Sequence, residues 1–162
     1  MTQMKVAILT ISDRVAAGEK EDTSGQVIRE LVEEAWPAQI VDVRAVPAQA
    51  DEVMAALIEM SEYHQPDLLF TIGSVGIGRK DVAPLATEKV VDRLVPGIPE
   101  AIRVYLHTVH PLAMFERGVA GVRKDTLIIN LSGSPKVAQR SFTGIAELLP
   151  AAVQSLRGEL EE

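Results

Sequence analysis

Between Asp67 and Thr87 the chain places three glycines, Gly73, Gly76 and Gly78, then the basic pair Arg79-Lys80, then the acid Asp81. Glycines let a backbone turn at positive φ and bring its N–H groups against a phosphate. A carboxylate at Asp81 falls where a metal–phosphate site needs an oxygen ligand. This order of residues suits a phosphorylated ligand. A plainer reading stands beside it, in which Asp81 is the cap or first-turn acid of a helix beginning near Pro84. The stretch is neither a dinucleotide fingerprint nor a phosphate loop of the Lys-Ser/Thr kind.

Two other segments have similar chemistry. Ser12, Asp13, Asp22, Ser24 and Gly25 follow one apolar run, and Ser132, Gly133, Ser134, Pro135 and Lys136 follow another. Each also fits plain turn or cap chemistry. The histidines His64, His107 and His110 show no metal-ligand spacing, and no Gly-x-Ser-x-Gly motif occurs.

The elements that must hold these segments follow from periodicity. Val6 to Ile11, Ile40 to Val46, Leu68 to Ile72 and Thr126 to Leu131 read as strands, with a shorter one from Gly118 to Val122. A polar loop should run from Ser12 through Gly18 to Asp22. Thr23 looks like an N-cap, with Gln26 completing a capping box for a helix to about Ala35. Val53, Leu57 and Met60 stripe a second helix, with Asp51 as its expected cap. Short helices are expected over Leu85 to Asp92 and from Pro99 to about His107, with the stretch His110 to Arg117 ambiguous. Ser134 and Pro135 should open a helix reaching about Leu149, and Pro150 another. Alternating strands and helices predict a three-layer α/β/α domain with a mostly parallel central sheet, one domain over residues 1–162. The three polar segments then converge at the carboxyl edge of that sheet, where open α/β sheets bind ligands.

Composition limits the alternatives. The 162 residues are 47% hydrophobic but only 4% aromatic, so the core must be aliphatic. No cysteine is present, which excludes a disulfide framework and a thiolate site. The net charge of −7 argues against nucleic acid and anionic membrane as partners. No secretory or membrane-spanning pattern is seen, so a cytoplasmic location is expected. An acidic protein that binds phosphates needs local cations, backbone donors or a divalent metal.

With the three segments in view, the chain resembles the molybdopterin adenylyltransferase family, the Mog/MoaB type that also forms the G domain of gephyrin. The first block is Ile-Leu-Thr-Ile-Ser-Asp with Gly18, Asp22, Ser24 and Gly25. The second is Gly-Ser-Val-Gly-x-x-x-x-Asp-Val-x-Pro-x-Ala-Thr, followed by Pro96-Gly97, Glu100 and Arg103. The third is Arg117-x-x-Ala120-Gly121, Thr126-Leu127-Ile128, Asn130-Leu131 and Gly133-Ser134-Pro135-Lys136. The resemblance implies a homotrimer that binds molybdopterin and ATP, and uses Mg²⁺ to adenylylate the terminal phosphate of molybdopterin with release of pyrophosphate. Other enzymes of molybdenum cofactor assembly would be its partners. It also implies catalytic roles for Asp81 and Asp13, with Asp81 as the Mg²⁺ ligand. Ser12, Asp22, Ser24, Gly25, Gly73, Ser74, Val75, Gly76, Gly133, Ser134, Pro135 and Lys136 would contact the ligands.

Some positions depart from the family's pattern. Where it has Gly-Gly-Thr-Gly, this chain has Gly73-Ser74-Val75-Gly76. Its Pro-Asp after the second strand is Pro47-Ala48, its Thr-Pro-Glu is Ala83-Pro84-Leu85, and its Leu-Pro-Gly is Leu131-Ser132-Gly133. Ser74 adds a Cβ to a turn made for glycine, Val75 removes a hydroxyl, and Ala48 removes a carboxylate. Two functions follow. One is an active adenylyltransferase, the other a binding or interaction protein that keeps the ligands but catalyses weakly or not at all.

Overall fold

The structure, a computed structural model, describes residues 3–160. Six strands form one sheet: β1 (Met4–Ile11), β2 (Ala38–Val46), β3 (Leu68–Ile72), β4 (Arg93–Leu94), β5 (Ala120–Arg123) and β6 (Thr126–Leu131). Their order across the sheet is β2-β1-β3-β6-β5-β4. The first four in that order are parallel; β5 joins β6 antiparallel and β4 joins β5 antiparallel. The mostly parallel sheet expected from the sequence therefore ends in an antiparallel edge.

Seven α-helices cover the sheet: α1 (Asp13–Ala16), α2 (Thr23–Ala35), α3 (Ala50–Tyr63), α4 (Ala83–Val90), α5 (Gly97–His107), α6 (Pro135–Thr143) and α7 (Leu149–Leu156). Alternation along the buried strands divides the core in two. Ile8, Phe70 and Ile129 face α2, α5, α6 and α7, whereas Leu9, Leu69 and Ile128 face α3 and α4. These are the three layers. Each fully buried Leu, Ile or Phe contributes roughly 1.5–3 kcal/mol, against roughly 0–1 kcal/mol for an exposed ion pair. The two aliphatic clusters thus hold the layers together.

One polar group crosses the smaller core. Asn130 on β6 is 5% exposed, and its amide nitrogen donates to the hydroxyls of Thr71 (2.9 Å) and Thr87 (3.0 Å). Its side-chain oxygen accepts from the Val119 N–H at 3.1 Å. A buried amide so satisfied locks α4 to the sheet and fixes the chain entering β5.

Several boundaries differ from expectation. Asp22, not Thr23, caps α2: its carboxylate accepts from the Gly25 N–H at 3.0 Å, and Gln26 instead donates to Glu30. Gln49 occupies the N-cap of α3 without a side-chain bond, leaving Asp51 in the first turn. The expected loop after β1 contains α1, capped by Ser12. Helix α4 starts at Ala83 because Pro84 suits its first turn. Helix α5 likewise begins earlier than expected, at Gly97, with Pro99 inside its first turn. His110 to Arg117 contains a 3₁₀ turn, Pro111–Phe115. The α6 segment stops at Thr143, followed by Gly144, a 3₁₀ turn and α7. Strand β4, two residues long, is too short to show any period. No helix of the described residues is long and apolar enough to cross a membrane.

Candidate functional site

The parallel strands point β1, β3 and β6 at the same edge, and the chain turns away from each there. In the order β2-β1-β3, the connections leave β1 and β3 in opposite directions, which opens a crevice between their carboxyl ends. A cleft of about 300 Å³ occupies this place. Ser12, Asp22, Ser24, Gly73, Ser74, Gly133 and Pro135 line it, so all three glycine-containing segments meet there. Thr10, which belongs to the first block of the resemblance, also lines it, as do Lys20 and Glu21, which nothing in the local pattern marked.

Close backbone approach explains two of the glycines. Gly73 has φ +100°, and a Cβ there would stand 2.7 Å from the Ile11 carbonyl oxygen. A Cβ on Gly133 would meet the Gly73 Cα at 3.1 Å. Side chains complete the seam. The Ser24 hydroxyl donates to the Gly133 carbonyl at 2.6 Å, and the Thr10 hydroxyl donates to Asp22 at 2.7 Å. Ser24 and Asp22 therefore shape the wall of the cleft while committing their own polar atoms to it. Ser134 stands at the N-cap of α6, Pro135 at its start, and Lys136 is exposed on its first turn.

The turn after β3 is held from several sides. Ser74 adopts φ +67°, a left-handed conformation that costs a non-glycine residue roughly 1–2 kcal/mol. Its hydroxyl donates to the Lys80 carbonyl and accepts from the Val82 N–H, each at 2.7 Å. Two such bonds at roughly 0.5–1.5 kcal/mol apiece offset the strain. The Cβ that glycine would spare the turn is thus compensated by the hydroxyl it carries. Arg117 grips the same turn from outside, its guanidinium donating to the carbonyls of Gly76 (2.8 Å) and Asp81 (3.0 Å). No sequence signal links residue 117 to a turn some forty positions earlier.

Asp81 is not a helix cap. Val82 holds that position in α4, and the Asp81 Oδ2 accepts from the Gly78 N–H at 2.7 Å. Gly76 is small for the same reason: a Cβ there would lie 2.9 Å from that oxygen. The volume reserved at Gly76 thus belongs to the Asp81 carboxylate, whereas the resemblance placed Gly76 against a ligand. Val75 points away from the cleft, buried in the smaller core with 6% exposure, so its lost hydroxyl leaves the cleft wall unchanged.

Asp13 stands at the rim. Its Oδ1 accepts from the Ala48 N–H at 2.8 Å, and its Oδ2 is paired with the Lys80 ammonium. That ammonium, and then the Ala48 N–H, hold the Asp13 carboxyl below the usual carboxylate range. The pair is too exposed to matter much for stability. It does place a cation and a carboxylate beside the position where the family's second carboxylate is replaced by Ala48.

This arrangement matches known proteins along almost its whole length. Residues 7–151 match the family model described as a probable molybdopterin binding domain. The molybdopterin adenylyltransferase of Helicobacter pylori (strain ATCC 700392 / 26695) is 33% identical over 160 residues, covering 98% of this chain and 90% of that protein. The chain belongs to the Mog/MoaB family of molybdopterin adenylyltransferases. The Escherichia coli K12 molybdopterin adenylyltransferase is 32% identical over 149 residues, 91% of this chain and 76% of that one. Among solved structures, the molybdopterin biosynthesis enzyme MoaB of Thermus thermophilus superposes with a TM-score of 0.90 at 36% identity, covering 96% of this chain and 98% of its own.

A Mg²⁺ ion carried on ATP asks for one or two protein carboxylates, because phosphates and water supply the rest of its shell. Among the described residues no cluster of three or more His, Cys, Asp or Glu is placed to cage an ion by itself. Asp22 commits one oxygen to Gly25 and the other to Thr10, and Asp13 commits both of its own. Asp81 commits only Oδ2 within the protein, which leaves Oδ1 for a metal. The donor set fits a metal that arrives with the nucleotide, and Asp81 is the carboxylate that keeps an oxygen open to it.

Proposed function

We propose that this family member adenylylates molybdopterin. An oxygen of the terminal phosphate of molybdopterin attacks the α-phosphorus of ATP, the bond to the β-phosphate breaks, and pyrophosphate leaves with its electron pair. The product carries a new phosphoanhydride. The observation that carries this reading is the convergence of three glycine-containing turns on one cleft, with Asp13 next in sequence to Ser12 of its lining and Lys80 and Asp81 on the loop that Ser74 of its lining ties down. Transfer to phosphorus needs positioning and charge neutralisation more than covalent help from the protein. Backbone donors from the Gly73 turn and the start of α6 receive the phosphates. Lys80 offsets developing negative charge, and Asp81 would help hold the Mg²⁺ that comes with ATP, a cation that would supply further neutralisation of the reacting phosphates.

Ala48 favours a second reading, a protein that binds molybdopterin and nucleotide with little turnover. Incubating the purified chain with molybdopterin, Mg²⁺ and α-labelled ATP separates the two. Label transferred to the pterin establishes the enzyme; retained binding of both ligands without transfer establishes the binding protein.

We also propose that the chain assembles as a homotrimer. In support, Val104 (73% exposed), Leu112 (63%) and Met114 (68%) lie on one continuous stretch from α5 into the following 3₁₀ turn. Such apolar side chains grouped in sequence suit a protein interface. A sedimentation mass of one chain at micromolar concentration would rule the trimer out.

A further inference from the structure

We infer that Ser74 is a positioning residue for a nucleotide's phosphates, acting through Lys80. The inference rests on reading the carboxyl-edge cleft as a nucleotide site. Ser74 lines that cleft, yet its hydroxyl is turned along the loop: it donates to the carbonyl of Lys80 and accepts from the N–H of Val82. Its own carbonyl accepts from the Ala83 N–H at 3.1 Å. One residue thereby grips the chain on both sides of Asp81.

The consequence falls on Lys80. Its side chain is 73% exposed, and a lysine so placed ordinarily moves among many rotamers. Here both of its ends are held. Ser74 fixes the carbonyl at its base and Asp13 receives the ammonium at its tip, while Asp13 is itself held by the Ala48 N–H. Asp13 follows Ser12, which lines the cleft, so the ammonium is parked at the rim without ligand. An arriving phosphate takes the ammonium over from Asp13 and meets a cation already oriented, which reduces the ordering needed on binding.

Glycine at position 74 would relieve the backbone, since Ser74 has φ +67°. It would also leave the Lys80 carbonyl and the Val82 N–H without their partner. Strain and positioning therefore pull in opposite directions, and variants can separate them.

The test is calorimetric titration of Mg-ATP into the wild-type chain, Ser74→Gly, Ser74→Ala, Lys80→Gln and the double variant Ser74→Gly/Lys80→Gln. Thermal melts of each variant accompany the titrations. Each single change should weaken ATP binding about tenfold, and the double variant should bind no more weakly than Lys80→Gln alone. Ser74→Ala keeps the strain and Ser74→Gly removes it, so equal losses in the two identify the hydroxyl. Losses that multiply in the double variant overturn the inference, as does wild-type affinity in Ser74→Gly or a wild-type chain that binds no ATP. A wild-type chain that shows this coupling but transfers no AMP to molybdopterin supports the inference while removing the adenylyl-transfer reading.

Discussion

The sheet has a cleft at each end, and the two are built on opposite electrostatic plans. The cleft at the amino ends of β3 and β6 is the larger, about 490 Å³ against about 300 Å³ at the carboxyl ends. At the amino end nearly every charge has found its opposite. Arg157 from α7 makes a two-pronged contact with Asp67, at 3.1 and 2.7 Å, and Asp67 also accepts from the Lys5 N–H. Glu62 receives both Arg123 and Lys124. Its carboxyl lies below its ordinary range because Lys124 and then Arg123 hydrogen-bond to it. Charges neutralised in this way have little left for a ligand. At the carboxyl end the lining combines the Gly73 and Gly133 turns with Lys20, Glu21 and Asp22. The hydroxyls of Thr10, Ser24 and Ser74 donate within the protein, and Lys80 is paired with Asp13 nearby. Turn backbone and lysines are thus the donors a phosphate can use.

Size is therefore a poor guide to the site, and so is backbone strain. Gln65 (φ 49°) and Lys124 (φ 54°) take left-handed conformations at the amino end, as Ser74 does at the carboxyl end. What separates the ends is the kind of closure: paired charges at the amino end, hydroxyl and backbone hydrogen bonds around glycine turns at the carboxyl end. Three changes test that contrast, and a fourth tests a charge outside both clefts.

The largest effect is expected at the carboxyl end from Asp81→Asn. An amide oxygen still accepts from the Gly78 N–H, so the turn and the melting temperature should be retained. A neutral amide holds Mg²⁺ much less well, and losing that contribution should lower adenylyl transfer by about a hundredfold or more. Turnover at the wild-type rate would remove Asp81 from the chemistry.

At the amino end the effect should be of the other kind. Asp67→Ala strips Arg157 and the Lys5 N–H of their shared acceptor and unfastens α7 from β3. Hydrogen bonds to charged groups of this sort are worth roughly 1.5–3 kcal/mol, so unfolding by denaturant should show a loss of about 2 kcal/mol. ATP binding should be unchanged under conditions where the variant is folded. An altered ATP affinity would join the two clefts and break the contrast.

Ala48→Asp sharpens it from within the carboxyl end. The Ala48 N–H already holds Asp13, so a carboxylate at this position would stand beside an existing one with Lys80 as the nearby cation. That is the charge pairing of the amino cleft reversed, an acidic excess open to Mg²⁺. If the missing carboxylate limits turnover, adenylyl transfer should rise about tenfold or more. An unchanged rate would move attention to the Ser74 turn.

These contrasts also explain what was legible before the fold was known. Each glycine-containing turn fits plain turn chemistry when taken alone, and it is the parallel topology, legible from the alternation of strands and helices, that gathers them at one edge. Strand β4 could not be read, since two residues carry no period. Arg117 reaches the Gly76 turn from a distant part of the chain, and only folding brings them together. Val75 shows the converse. Its place in the family's phosphate turn marked it for the ligand, but alternation past β3 turned it into the aliphatic core. Asp22 was recognised as a polar site residue, and the fold adds that it caps α2 while bracing Thr10.

The smallest effect is expected where a charge is half-buried without full compensation. Glu116 sits between the 3₁₀ turn and β5, and burial raises its carboxyl above the ordinary value. A hydrogen bond from Ser132 and the nearby His110 and Arg103 pull the other way without cancelling the rise. The native state then binds a proton more tightly than the unfolded chain. Stability from this group is greatest below the unfolded carboxyl value and is lost as pH rises through the higher folded value. Glu116→Gln removes the ionisation but keeps an oxygen for Ser132. The variant should melt higher than wild type by a few degrees at pH 8, and the gap should shrink as both are taken towards pH 4. A gap of constant size would mean that packing at residue 116, and not its charge, sets the difference.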